Sequence, residues 1–476
     1  MGRRKIFLIR LDNSSLKRIY HPRHMYPPLT LKYIQALLNK KKKYEVRFFD
    51  YWVSKLSLSK FAEGIFKLSP DIVIIYVDPY NFHSVVKFIS LITQKKKPII
   101  IGIGPDITFR PELYIEDTPL FDIIIPGEPE IEILSIIEKL NGNISMFKAL
   151  KDIYRRRVNL INIVFDLDNL PFPNFTLKEL KSYTFIYPVR MNRRLICGYV
   201  ITSRGCPYSC TFCSPGIRKS YSKVLRLRST SNIVDEIQFL MKKGVNFISF
   251  EDDNFVADFD HVVSICEEIK RRRINIKWSA QVRVDEVNYK LLKLMRDSGC
   301  SLLQFGIESA SKRILRMLNK TTEAEKWIER SKEIFYHAKK LGITTCALFM
   351  IGNPTETRQE AVETIKLAKC LNSDLVKVHF FILYPGSTIY EKCRIEYKKL
   401  QLQDDVHHYS KPIINLSNMS VEELLQVRKK FYRNVYLQLD YILKHIFKYG
   451  IFYIFNIKVF FILLKGLLRI LQDSEK

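Results

Sequence analysis

Thr202-Ser203-Arg204-Gly205-Cys206-Pro207-Tyr208-Ser209-Cys210-Thr211-Phe212-Cys213 sets three thiols in one short loop, spaced Cys-x3-Cys-x2-Cys. Thiolates this close can converge on one soft metal centre, and cysteine thiolates are the usual ligands of iron–sulfur clusters. A cubane has four irons, and no fourth cysteine follows nearby: Cys266, Cys300, Cys346, Cys370 and Cys393 fall in predicted helices and strands, and Cys197 lies in the strand entering the loop. One iron would therefore keep a position open for an outside ligand. A structural zinc site is closed by four protein ligands, often as paired Cys-x2-Cys units, and that pattern is missing. Free cysteines are often buried as small apolar residues, but three in one polar loop with Gly205 and Pro207 do not fit that use.

With Phe212 before the last thiol, Cys206, Cys210 and Cys213 resemble the signature of radical S-adenosylmethionine (radical SAM) enzymes. The resemblance implies a [4Fe–4S] cluster on those three thiolates. Its open iron would chelate the amino and carboxylate groups of S-adenosylmethionine, and reduction would cleave that molecule to methionine and a 5′-deoxyadenosyl radical.

Working outward, the stretch from Leu195 has a βα rhythm: Ile196–Thr202 as strand, the cysteine loop, a helix through Ile233–Lys242, and a strand at Phe247–Phe250. Further strands are expected at Ile276–Gln281, Leu302–Ile307, Thr344–Ile351 and Val376–Leu383, with amphipathic helices between them. About six βα units predict an open, partial barrel, and in such barrels the carboxyl ends of the strands carry the chemistry. Glu251-Asp252-Asp253 ends one of them, where carboxylates can accept hydrogen bonds from an ammonium group; the plainer reading makes one aspartate the N-cap of the next helix. By resemblance, Asp252 and Asp253 match the segment that binds the methionine amine. Glu308 and Ser309 match the ribose segment. Arg283 matches a basic residue facing the S-adenosylmethionine carboxylate, or it pairs with Asp285. Gly352 and Pro354 match the adenine-side turn, where Asn353 and Thr355 replace the usual Leu and Gly. Tyr384-Pro385-Gly386-Ser387 matches a substrate-side loop.

Upstream, residues 1–148 alternate strands and helices, which argues an α/β fold with a doubly wound parallel sheet. Tyr26-Pro27-Pro28-Leu29, Pro70-Asp71-Ile72-Val73, Gly102-Ile103-Gly104-Pro105 and Gly127-Glu128-Pro129-Glu130 make this half similar to the cobalamin-binding domain that precedes many radical SAM cores. The resemblance implies cobalamin as a further cofactor, with Gly102 and Gly104 at its site. The Asp-x-His-x-x-Gly motif that supplies a lower cobalt ligand is absent; His83, His407 and His408 read as surface or satisfied histidines. Residues 149–194, punctuated by Pro171 and Pro173, read as a linker. The radical SAM barrel is expected over 195–400 and a C-terminal helical extension over 401–476. In that tail Ile451–Leu471 is apolar but interrupted by Asn456, Lys458, Lys465 and Arg469, which suits a helix on an anionic membrane surface more than a span of roughly 20 apolar residues.

The 476 residues suffice for two or three domains, and the 47% hydrophobic content is that of a globular chain. Nine cysteines, together with a motif that needs reduced thiols, point to a reducing cytosol. The formal charge of +28 favours anionic partners, unless lysine simply loads every solvated face, as at Lys40–Lys43 and Lys95–Lys97. The leading expectation is cobalamin-dependent methylation of an unactivated carbon, on a lipid or lipid-like substrate, by a cytoplasmic enzyme peripheral to the inner membrane face. An external donor such as ferredoxin or flavodoxin would supply electrons. Radical cyclisation or carbon–carbon coupling without methyl transfer is the alternative. A tRNA-modifying methylthiotransferase ranks lower, and nucleic acid is not an expected partner: that family places three further cysteines in its N-terminal domain, and residues 1–196 contain none. A cofactor-responsive binding protein, the non-enzyme alternative, leaves the cysteine triad without a task.

Overall fold

The computed structural model describes residues 3–11, 27–79, 81–93, 98–115, 120–140, 162–183, 195–213, 225–393, 412 and 414–443. The tail segment 451–471, Tyr26, Lys95–Lys97 and His407/His408 lie outside them. Among the described residues, no helix is long and apolar enough to cross a membrane.

The first five strands are β1 (Arg4–Arg10), β2 (Tyr44–Asp50), β3 (Ile72–Tyr76), β4 (Ile99–Ile103) and β5 (Ile123–Ile125). They form one parallel sheet in the order β2-β1-β3-β4-β5. Strands buried on both faces read as unbroken apolar runs, and β1 and β3 show why. Phe7, Ile9, Val73 and Ile75 face one core, while Ile6, Leu8, Ile72 and Ile74 face the other. Helices Leu58–Lys67 and Phe82–Ile92 cover the first face; Leu29–Lys40 and Glu130–Lys139 cover the second. This is the doubly wound arrangement, with its ligand-accepting edge at the carboxyl ends of the strands.

The second sheet is also parallel and has six strands, ordered β6 (Cys197–Val200), β9 (Phe247–Phe250), β10 (Lys277–Val282), β11 (Cys300–Glu308), β12 (Thr344–Ile351) and β13 (Leu375–Phe380). A short antiparallel pair, β7 (Ser203–Arg204) and β8 (Arg226–Leu227), flanks the cysteine loop. Hydroxyl and carboxylate side chains start the intervening helices. Ser229, Asp258, Asn288 and Ser311 each accept a hydrogen bond from a first-turn N–H, and Thr357 completes a capping box with Glu360. β13 stops at Phe380, three residues short of the expected end.

The expected linker is built into the fold where it is described. Lys32, buried in the first domain, pairs with Glu179 of the linker helix at 2.9 Å, and the Tyr183 hydroxyl donates to Asp50 at 2.7 Å.

An open sheet exposes an edge, and unpaired strand groups there invite wrong pairing. Helix Val421–Tyr436 covers the β13 edge with tyrosines. Tyr436 Oη accepts from Val376 N at 3.0 Å and donates to Val376 O at 2.6 Å, and Tyr432 and Tyr441 hydroxyls reach Val378 O and Asp374 O. Tyr436→Phe removes both contacts to Val376 and should lower unfolding stability by about 1–2 kcal/mol in urea titrations of the full-length protein.

Candidate active site

The chemistry-bearing loop leaves β6, and a carboxylate from the neighbouring strand end directs its departure. Asp252 is buried, and its Oδ1 accepts from Thr202 N at 3.1 Å, Thr202 Oγ1 at 2.8 Å, Ser203 N at 2.5 Å and Ser203 Oγ at 2.6 Å. Burial nonetheless pushes the Asp252 pKa up, with the Ser203 and Thr202 hydrogen bonds pulling against it. A carboxylate engaged this fully on Oδ1 anchors the loop, a role the sequence reading did not assign to Asp252. Neither aspartate caps the next helix: Asp258 does. Asp253 is half-buried, and its charge acts on the Cys206 and Cys213 thiols.

Two residues beyond the anchor, Arg204 turns toward the first sheet. Its guanidinium donates to Glu130 Oε1 at 2.7 Å and lies 3.3 Å from Glu128, while Arg226 of β8 pairs with Glu128 at 2.7 Å; all four side chains are buried. Val164 N also donates to Glu128. The Gly-Glu-Pro-Glu stretch after β5 thus ties the first sheet to the entry of the cysteine loop. Phe109, just past β4, lies so close to Gly386 that a Cβ there would come within 2.4 Å of its ring. The carboxyl edges of the two sheets therefore face each other.

The loop is stapled from the far side as well. Thr211 N donates to Leu318 O at 2.9 Å, Asn319 Nδ2 donates to Ser209 O at 2.9 Å, and Phe212 packs against a cluster containing Ile314, Leu318 and Met350. Arg283 stacks 3.6 Å over the Tyr208 ring and 5.0 Å over Trp327. It pairs with Asp285 at 2.7 Å, donates to Lys320 O at 2.8 Å, and brings Nη1 within 3.9 Å of Cys210 Sγ. Its expected partner Asp285 is confirmed. The guanidinium is thereby spent on the loop and on the field at Cys210, and it does not face a free carboxylate site.

Lys320, which the sequence reading passed over, lies in the same place. Its ammonium is buried, pairs with Glu308 at 3.1 Å, and acts electrostatically on the Cys213 thiol. Its signal in sequence was faint: one lysine in a helix-to-helix turn. Glu308 closes β11 at φ +67°, a left-handed backbone unusual outside glycine. The pairing register shifts there, and Gly306 and Glu308, two residues apart, share one face, with the Glu308 carboxylate beside Gly306. Cys206, Cys210, Cys213, Asp253, Arg283, Glu308 and Lys320 are thus brought together.

The other expected positions are elsewhere. Ser309 is fully buried, within hydrogen-bond distance of Thr364 Oγ1 at 3.2 Å, and accepts from Ser311 N, so it does not face a ribose. Gly352 and Pro354 belong to a turn closed from inside by Glu356, whose carboxylate accepts from Gly352 N at 2.6 Å and Asn353 N at 3.1 Å. Burial pushes the Glu356 pKa up to about 7. Thr355 takes the left-handed φ of +60° usually given to glycine, held by Arg313 on its hydroxyl and carbonyl at 2.8 Å each. In the first sheet, a Cβ on Gly102 would meet the Phe121 ring at 2.9 Å, and one on Gly104 would meet Val77 O at 2.4 Å. Both glycines serve close packing rather than opening a cradle, contrary to expectation.

The donor set fits a cluster. All three thiols are free and half-buried in a loop held on both sides, with two cations near the sulfurs. Burial raises the Cys206 and Cys213 thiols, so metal charge is needed to hold them as thiolates. No three His, Cys, Asp or Glu side chains among the described residues gather around a single-ion site. A cubane asks for something else, since each thiolate takes a different iron.

Comparison with known proteins agrees. Residues 200–368 match the radical SAM superfamily. Across 457 residues the chain is 29% identical to a Pyrococcus horikoshii protein named an uncharacterized methyltransferase, covering 94% of this chain and 95% of that one. It is 26% identical over 432 residues to the anaerobic magnesium-protoporphyrin IX monomethyl ester cyclase of Rubrivivax gelatinosus, covering 87% and 74%. The fold resembles that of the radical S-adenosylmethionine methyltransferase TsrM from Kitasatospora setae, solved with cobalamin and a [4Fe–4S] cluster, at a TM-score of 0.61 and 16% identity over 83% of this chain and 78% of that one.

Asp252→Asn would turn a donor toward the N–H and hydroxyl groups of Thr202 and Ser203, at a cost of about 2 kcal/mol. Iron and sulfide retained after anaerobic reconstitution should fall clearly below wild type, while far-ultraviolet circular dichroism stays unchanged.

Proposed function

The chain belongs to the radical SAM superfamily, and from that membership we propose that it is a cobalamin-dependent radical enzyme that methylates an unactivated carbon of an organic substrate. The observation that carries this reading is the meeting of two strand-end edges: the cysteine loop of the barrel and the carboxyl edge of a doubly wound parallel sheet, joined by Arg204–Glu130 and by Phe109 against Gly386. Such sheets take their ligands at that edge. A flat cofactor there would lie next to Val77–Asp78, the short helix Pro105–Phe109 and Pro126–Gly127. The likeness in fold to TsrM supports the same placement.

Cys206, Cys210 and Cys213 would hold the [4Fe–4S] cluster, which when bound supplies the electron that cleaves S-adenosylmethionine. The work of the protein is positioning and shielding. Asp253 and Glu308 set negative charge where a sulfonium and an ammonium would arrive. Lys320, paired with Glu308, offers a cation to a carboxylate. Arg283 sets a fixed positive charge beside Cys210, favouring the reduced, more negative cluster. A lipid or lipid-like substrate and attachment to an anionic membrane rest on the tail sequence alone and belong to this proposal as its outer part.

Cyclisation or coupling without methyl transfer is the second reading, favoured by the likeness to the Rubrivivax cyclase. One product assay separates them. Protein reconstituted anaerobically with iron, sulfide and hydroxocobalamin is given a strong reductant, S-adenosylmethionine and a lipid extract of the source cells. Formation of both 5′-deoxyadenosine and S-adenosylhomocysteine, with cobalt retained, is the expected result; 5′-deoxyadenosine alone would move the assignment to cyclisation or coupling. Cys210→Ala should abolish both products and the visible absorption of the cluster.

A further inference from the structure

Burial alternates along β13. Val376, Val378 and Phe380 are buried on the helix-covered outer face, where Phe349 of β12 meets Phe431 of helix Val421–Tyr436 at 5.3 Å between ring centroids. The intervening Lys377 and His379 are half-buried and stand in register with Leu348 and Met350 on the concave face. Leu348 is in turn in register with Gly306, beside which Glu308 and Lys320 meet. One cross-strand row thus runs from the Glu308–Lys320 corner to Lys377.

The two ends of the concave face differ in how their charges are paired. Near the cysteines, Glu251, Asp253 and Glu308 stand with Arg283 and Lys320, and each of these cations is paired with an acid, Asp285 and Glu308. Burial pushes the Glu251 carboxyl up to about 7. At β13 the row carries Lys377 and His379. Lys377 makes no hydrogen bond or ion pair among the described residues. Arg428 approaches the same edge, 4.5 Å over the Phe380 ring. Burial holds the His379 imidazole down to about 4, with the Lys377 and Arg428 cations acting in the same direction. Lys377 thus has a charge and three hydrogen-bond donors to offer a ligand.

We propose that Lys377, with His379 beside it, is a subsite for an oxyanion of the organic substrate, a carboxylate or a phosphate-type group, about 10 Å across two strand spacings from the Glu308–Lys320 corner. That the ligand is the substrate rests on the radical-enzyme reading above; that an anion binds there does not. The ammonium supplies both the charge and the hydrogen-bond donors to the oxyanion. The site separates the two small-molecule charges of the reaction: the cationic S-adenosylmethionine beside the acids, and an anionic substrate held by the far strand.

The test uses full-length, cluster-loaded protein titrated with inorganic phosphate by isothermal calorimetry, with and without saturating S-adenosylmethionine. Phosphate should bind in both conditions. Lys377→Met should weaken it about tenfold or more, the loss of a charged hydrogen bond, and Lys377→Arg should restore most of the affinity. Lys366→Met, on an exposed outer helix face, should match wild type. Equal affinity in wild type and Lys377→Met overturns the proposal, as does an equal loss in Lys366→Met, which marks general charge attraction. Phosphate displaced by S-adenosylmethionine, together with weaker S-adenosylmethionine binding in Lys377→Met, overturns it in favour of a site for that molecule's own carboxylate. Should Lys377→Met lose its circular dichroism signal, Lys377→Gln gives the same reading. 5′-Deoxyadenosine is measured on wild type in parallel. Lys377-dependent phosphate binding without it defeats the enzymatic reading and supports the subsite; 5′-deoxyadenosine without that binding does the reverse.

Discussion

The Asp252 carboxylate, buried at the end of β9, holds the backbone and hydroxyls of Thr202 and Ser203. Its position decides where the chain leaves β6, and four residues later the first cluster thiol follows. A buried carboxylate is tolerated only when its lone pairs are met by donors. Here the donors belong to the segment that must be placed, so the requirement to satisfy the acid is also the requirement that orients the loop.

The same segment carries Arg204 into Glu128 and Glu130. Buried ion pairs add little net stability against apolar packing, but removing one partner leaves an uncompensated charge at about 3–5 kcal/mol. That asymmetry makes such a cluster a device for fixing relative position. It holds the Gly-Glu-Pro-Glu turn of the first sheet against the loop of the second. Phe109 against Gly386 closes the seam with a contact that admits no side chain on the glycine. Together they set two strand-end edges face to face.

Inside the barrel the polar side chains are divided by pairing. Acids and cations paired with them, Arg283 with Asp285 and Lys320 with Glu308, surround the thiols, whereas β13 brings Lys377 and His379. Neither end is a product of the overall charge of +28, which resides largely on solvated lysines. Tyrosines of helix Val421–Tyr436 hold β13 from outside, so the strand that carries Lys377 is not a frayed edge.

Much of this was legible in order. Periodicity placed the strands to within about three residues, because parallel strands buried on both faces are apolar runs and helices between them are amphipathic. The Cys206-Cys210-Cys213 spacing identified the loop, since few other uses bring three thiols so close. Side-chain assignments followed less well. Asp252, Ser309, Gly102 and Gly104 sit where the motifs put them but point into packing and hydrogen-bond networks. Lys320 and Lys377 stood in sequence like dozens of other lysines. By itself the sequence determined the α/β order, the thiol loop and the likeness to the radical SAM superfamily, all of which depend on local spacing. Which polar group faces the open site, and which is consumed in holding it, only the tertiary structure decided. That outcome depends on partners far apart in the chain, such as Thr202 with Asp252, Arg204 with Glu130 and Arg283 with Tyr208, whose meeting no local pattern encodes.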